Sequence, residues 1–128
     1  MLSKGFNGDI VAAVLERLLA ERLLDDNRYV ENFVGSHAAR GHGPNRVRAD
    51  LRNLGMEGPL VENALGAYPD WLVQLRAARR KKFGPRPAAD NAAKLRETRF
   101  LGYRGFTSGQ IRMALGFDTD LELEDHTP

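Results

Sequence analysis

One short pattern, written three times at a spacing of 50 residues, limits what this chain can fold into. Its copies begin at Gly5-Phe6, Gly55-Met56 and Gly105-Phe106, with Val11, Val61 and Ile111 five residues beyond the Phe or Met and Leu15, Leu65 and Leu115 nine beyond. Val14, Ala64 and Ala114 precede the last set, and Leu51 and Leu101 hold matching upstream places. A period of this size is the mark of a repeat architecture, in which each unit is too small to bury its apolar face alone and must stack on its neighbour.

The pattern has a direct conformational meaning. Glycine ends one helix in the left-handed region, and the next helix starts two residues later. In the third copy Thr107 and Gln110 have capping-box spacing, and Phe106 and Ile111 stand where a hydrophobic staple joins N′ to N4. The first two copies keep the staple as Phe6 with Val11 and Met56 with Val61, and place Asn7 and Glu57 at the cap. Leu24-Asp25 followed by Tyr29 repeats the start signal, and Gly43-Pro44 puts proline at a first helical position. These signals predict helices over 8–23, 26–40, 44–54, 58–67, 70–83, 90–104 and 108–116, and no segment alternates as a strand does. The expected fold is all-α, with tandem three-helix repeats stacked into an elongated, curved array. It occupies 1–117, the first repeat lacks its opening helix, and the last lacks its closing one. The acidic tail, 118–128, is too poor in apolar residues to pack and is expected to be disordered.

With 128 residues, 42% of them apolar, the chain has material for one modest core or a row of smaller ones. The absence of cysteine excludes disulfides, thiolate metal sites and cysteine nucleophiles. No apolar run reaches the roughly 20 residues of a membrane helix, so a soluble, cytoplasmic protein is expected; it is also expected to be a monomer. The net charge of +2 hides a strong asymmetry: residues 1–39 sum to −2, residues 40–112 to +9, and residues 113–128 to −5. Fifteen of the nineteen cations are arginine, the residue suited to bidentate contacts with phosphate or carboxylate. A basic middle of this kind suits a polyanion or an acidic protein groove.

Three basic clusters are the candidate binding residues. Arg79-Arg80-Lys81-Lys82 lies near a helix end, where one or two cations suffice to complement the dipole and four do not follow from that need. Arg48 and Arg52, at i and i+4, share an outward face, whereas Asp50 stands ready to neutralise Arg46. Arg96, Arg99 and Arg104, with Tyr103, form a third patch. Nothing in them resembles a base-reading constellation, so backbone or groove contacts are expected. Catalysis is not. Asp25-Asp26, at an expected helix start, serves capping, and Ser36 beside His37 makes no triad because helical neighbours project apart. His37 and His42 lack an acidic or cysteine partner at ligand spacing, so neither metal nor cofactor is expected. Phe6, Phe33, Phe83 and Phe106 sit at repeat-equivalent or staple positions and read as core, and Trp71 is expected to pack on a neighbouring unit.

Four stretches in order carry a family resemblance: Leu23-Leu24-Asp25-Asp26-Asn27-Arg28-Tyr29 with Phe33-Val34; Gly41-His42-Gly43-Pro44 leading to Val47 and Leu51; Arg80-Lys81-Lys82-Phe83-Gly84; and Arg99-Phe100-Leu101-Gly102-Tyr103-Arg104-Gly105-Phe106 with Ile111-Arg112 and Ala114-Leu115. In these the chain resembles the RecX family of bacterial RecA regulators. The resemblance implies a modulator that binds the RecA–DNA filament and restrains its ATPase, strand-exchange and co-protease activities, without being an enzyme. It departs at the amino end, where the family's pattern implies a further helical segment before Gly5. The alternative reading of the same arginines is a stand-alone, sequence-tolerant DNA-binding module.

Overall fold

The computed structural model describes residues 8–116, and among them every regular element is an α-helix. The helices are α1 (Gly8–Ala39), α2 (Pro44–Asn53), α3 (Pro59–Ala67), α4 (Trp71–Phe83), α5 (Asn91–Tyr103) and α6 (Ser108–Leu115). Packing groups α1 with α2 and α3, and α4 with α5 and α6, so the chain is two three-helix units in tandem. The units therefore run in a different phase from the one read off the sequence, since the closing helix of the last unit is present as α6.

Five of the seven expected helices are found within a residue of their places. The other two are fused. The sequence reading put a break near Leu24-Asp25, but α1 continues through it for 32 residues, about 48 Å at 1.5 Å per residue. No glycine or proline lies between Gly8 and Gly35, and aspartate in a helix interior costs only tenths of a kcal/mol, too little to stop a run of Leu, Ala, Glu and Arg. Asp25 and Asp26 thus stand inside a helix and cap nothing. Buried positions in α1 begin at Val30 and continue at Val34 and Ala38. Before them Ile10, Val14, Leu18 and Leu23 are more than half exposed.

The core runs through both units: Val30, Val34, Val47, Leu51, Val61 and Leu65, then Trp71, Leu75, Leu101, Phe106 and Ile111. Leu51, Leu75 and Leu101 are completely buried, each worth about 1.5–3 kcal/mol over exposure. Phe106 is buried as expected, whereas Phe33 and Phe83 are half-buried, Phe83 lying edge-on to Phe100 at 5.4 Å. Trp71 opens α4 and donates its indole N–H to the Leu65 carbonyl at 2.9 Å, which ties the second unit to the last turn of α3. Phe6, Asn7 and the 118–128 tail lie outside the described residues.

The glycine signal has a specific geometry. After α2, Gly55 N–H bonds Arg52 O and Met56 N–H bonds Leu51 O; after α5, Gly105 N–H bonds Gly102 O and Phe106 N–H bonds Leu101 O. Both are Schellman turns with glycine at positive φ, 86° and 104°. The end of α1 makes a third, Gly41 to Ala38 and His42 to His37, which the 50-residue comparison did not reveal. Thr107 and Gln110 form the capping box. Glu57 is not the cap of α3; Gly58 is, and it makes no side-chain cap bond. Glu57 instead pairs with Arg52 at 3.4 Å.

Candidate partner-binding surface

The units meet where the α5–α6 turn sits on the α1–α2 turn. Gly43 N–H bonds Arg104 O at 2.8 Å and Asn45 N–H bonds Gly105 O at 2.9 Å. The backbones approach so closely that a Cβ on Gly43 would lie 2.3 Å from Gly105 C and from Phe106 N. Arg104 reaches back across this joint: Nε donates to Gly41 O at 3.1 Å and an Nη to Arg40 O at 2.8 Å. Its guanidinium is thus committed to the fold, capping the carbonyls at the end of α1.

Arg79 is committed more deeply. It forms a two-pronged ion pair with Glu97, 2.6 and 3.2 Å, and donates to the carbonyls of Gly84 and Arg86. With side chains only 13% and 5% exposed, the pair clamps α4 to α5 and pins the loop between them. Arg48 donates to both oxygens of Glu62, at 2.7 and 3.0 Å, and to Asn45. That hydrogen-bonded partnership raises the Arg48 pKa and holds the Glu62 carboxyl below its ordinary 4.5. Arg46 pairs with Asp50 at 3.4 Å, as the sequence spacing suggested.

The remaining candidates are exposed. Arg80, Lys81, Arg96 and Arg99 have no carboxylate partner among the described residues, and Lys82 Nζ lies 5.7 Å from the Phe100 ring centre. Lys81 and Lys82, with Gln74 of the same helix, line a groove of about 480 Å³ between the end of α1, α4 and α5, with Arg40, Phe100 and Arg104 on its other walls. Arg40 was missed in the sequence because it follows a helix end alone; only the fold sets it opposite the α4 lysines. Arg80 faces a second hollow with Arg76 and Lys94. Arg96, Arg99 and Tyr103, at i, i+3 and i+7, share one exposed side of α5.

The fold also gives the histidines an acidic neighbour that the sequence spacing does not show. Asp50, on α2, joins His37 and His42, and one potential ligand atom from each lies within 4.8 Å of the others. His37 Nδ1 is 3.0 Å from Phe33 O and its ring stacks on Phe33 at 3.9 Å. Burial, together with the charges of Arg46, Arg104 and His37, holds His42 below the ordinary histidine value of 6.5.

No helix of the described residues is long and apolar enough to cross a membrane. The profile of the second three-helix domain of RecX matches residues 25–65, and that of the third matches 70–115. The second span coincides with the α4–α6 unit, and the first takes in the later half of α1 with α2 and most of α3. The regulatory protein RecX of Halorhodospira halophila is 42% identical over 112 residues, covering 87% of this chain and 70% of that protein. That of Acidithiobacillus ferrooxidans is 42% identical over 118 residues, covering 91% and 74%. That of Pseudomonas fluorescens is 36% identical over 113, covering 88% and 73%. Helical tandem, matching domains and relatives of this similarity agree, and the chain belongs to the RecX family.

Proposed function

We propose that this chain regulates a RecA-type recombinase, mainly as an inhibitor, by binding the RecA–DNA filament and restraining its ATPase, strand exchange and co-protease activity. The observation that carries the contact is the concentration of unpaired cations around the end of α4. Lys81 and Lys82 stand with Arg40 at a groove wide enough to receive phosphates or acidic side chains, and Arg80 lines the neighbouring hollow with Arg76 and Lys94. Arg96 and Arg99 extend the basic surface along α5. Arg48 and Arg52 join it only by exchanging Glu62 and Glu57 for an external anion, so their share is smaller. Arg79 and Arg104 act indirectly, by holding the groove walls. On this reading the chain works by occupying a surface and carries out no reaction of its own.

The test compares binding to preformed recombinase filament with binding to bare single- and double-stranded DNA at one salt concentration, alongside recombinase ATPase. Tighter binding to filament with a fall in ATPase is expected. Tighter binding to bare DNA with unchanged ATPase would replace this reading with that of a stand-alone DNA-binding module.

A further inference from the structure

We infer that His37, His42 and Asp50 form a site for a divalent transition-metal ion of the zinc class, placed under the joint between the two units. Three elements supply it: the last turn of α1, the Schellman turn that follows, and α2. In the other two Schellman turns the positions corresponding to His37 and His42 hold apolar pairs, Leu51 with Met56 and Leu101 with Phe106. Here the same contact is made by two imidazoles with ring centres 5.7 Å apart.

Two observations point to a ligand. His42 Nδ1 is buried and has no hydrogen-bond partner among the described residues, an arrangement that costs free energy unless something occupies it. His37 Nδ1 lies at hydrogen-bond distance from the Phe33 carbonyl, which fixes that nitrogen as the N–H and leaves Nε2 as the lone-pair donor. Metal-bound histidines are oriented by this kind of outer hydrogen bond. The donor set of two imidazoles and one carboxylate suits zinc, with a fourth position left for water or a group from a partner. Bonds of about 2.0–2.2 Å in a tetrahedron separate ligand atoms by about 3.4 Å. One potential ligand atom from each residue lies within 4.8 Å of the others, so closing to tetrahedral spacing asks for a movement of at most about 1.4 Å. Arg46 competes for Asp50 through a single partly exposed contact of 3.4 Å to Oδ2, a pair of low strength. Arg46 and Arg104 oppose a cation electrostatically, and the Asp50 charge offsets part of that opposition. An ion held here would cross-link α1, its turn and α2 next to Gly43, and so stiffen the joint.

The experiment uses the untagged full chain, stripped with chelator and titrated with zinc, with cobalt(II) as the spectroscopic probe. One ion per chain and visible cobalt absorption of a low-symmetry, four-coordinate site are expected. His42→Gln and Asp50→Asn should each weaken binding roughly tenfold or more, an effect at least the size of losing an outer-shell partner. The remaining histidine, His126, serves as the control, and His126→Ala should bind like the parent. Zinc should raise the melting temperature of the parent and of His126→Ala, and leave the two site variants unmoved. Zinc bound well below one per chain, or equal binding by parent and both site variants, would overturn the inference. Circular dichroism of the stripped variants separates loss of ligands from loss of fold.

Discussion

Replacing Gly43 by alanine tests the joint between the units with a single carbon. At φ −87° and ψ 173° any residue is comfortable, so the substitution adds no backbone strain. Its whole effect is steric. The new Cβ would sit 2.3 Å from Gly105 C and Phe106 N, where atoms of that kind rest at about 3.5–4.0 Å. The α5–α6 turn must then retreat by about 1.2 Å or more, which takes the Gly43-to-Arg104 and Asn45-to-Gly105 hydrogen bonds of 2.8 and 2.9 Å out of range. Overpacking costs about 1–3 kcal/mol, and each broken bond about 0.5–1.5 kcal/mol. Reduced freedom of the unfolded chain returns about 0.4–1 kcal/mol. The net loss is about 1–6 kcal/mol, centred near about 3 kcal/mol, a large part of the roughly 5–15 kcal/mol that stabilises a domain of this size. Urea unfolding followed by circular dichroism should show the midpoint falling by roughly one molar or more. Gly35→Ala makes the same chemical change inside α1, where a Cβ meets nothing within 4 Å, and should stabilise by about 0.5–1 kcal/mol through helix propensity. A Gly43→Ala midpoint equal to that of the parent, or shifts of the same sign for both variants, would refute the steric argument.

Three further perturbations read other parts of the structure. Glu97→Ala strands the Arg79 guanidinium in a site only 13% exposed, and should cost about 3–5 kcal/mol in equilibrium unfolding; a loss under 1 kcal/mol would mean that the clamp is solvated. Lys81→Gln with Lys82→Gln should weaken filament binding while changing stability by less than about 1 kcal/mol, since exposed charges contribute little to folding. Each phosphate of single-stranded DNA that these lysines no longer neutralise should also reduce the logarithmic salt slope by about 0.7, so an unchanged slope would place the contact elsewhere. By NMR, Glu62 should titrate below 4.5 in the parent and return towards it in Arg48→Gln. Because the folded-state value is the depressed one, the contribution of this pair is complete above pH 4.5 and is lost as pH falls through the depressed value. Its size, for a carboxylate half exposed to solvent, is at most about 0.2–1 kcal/mol. A Glu62 titration at 4.5 in both proteins would show the bond to be absent in solution.

The helical tandem was legible because its signals are local. Thr107 with Gln110, Gly105 before Phe106, and Gly43 before Pro44 each define a boundary from a few adjacent residues, and those boundaries hold. Where a local signal competed with chain continuity, at Leu24-Asp25, continuity won, because the segment offers no residue that breaks a helix. The fates of the arginines were not legible. Arg79 and Arg80 are neighbours of the same type, yet one is clamped by a glutamate 18 positions away and the other faces solvent. That difference depends on how α4 packs against α5, which no spacing within either helix encodes. Asp50 joins His37 and His42 for the same reason: the turn after α1 folds back before the three meet.

The joint also provides a built-in reporter of bending. Besides the chain passing through Tyr68-Pro69-Asp70 and the side-chain bonds of Trp71 and Arg104, the units are fastened by the amide bonds of Gly43 and Asn45 across to the opposite turn. Neither N–H belongs to a bond within a helix, so neither needs a helix to melt before it exchanges with solvent. Hydrogen exchange at these two amides therefore measures the opening of one unit against the other, separately from the unfolding of either. A partner that straightens or curves the tandem would change protection there first, while the amides within α2 and α5 kept their native rates.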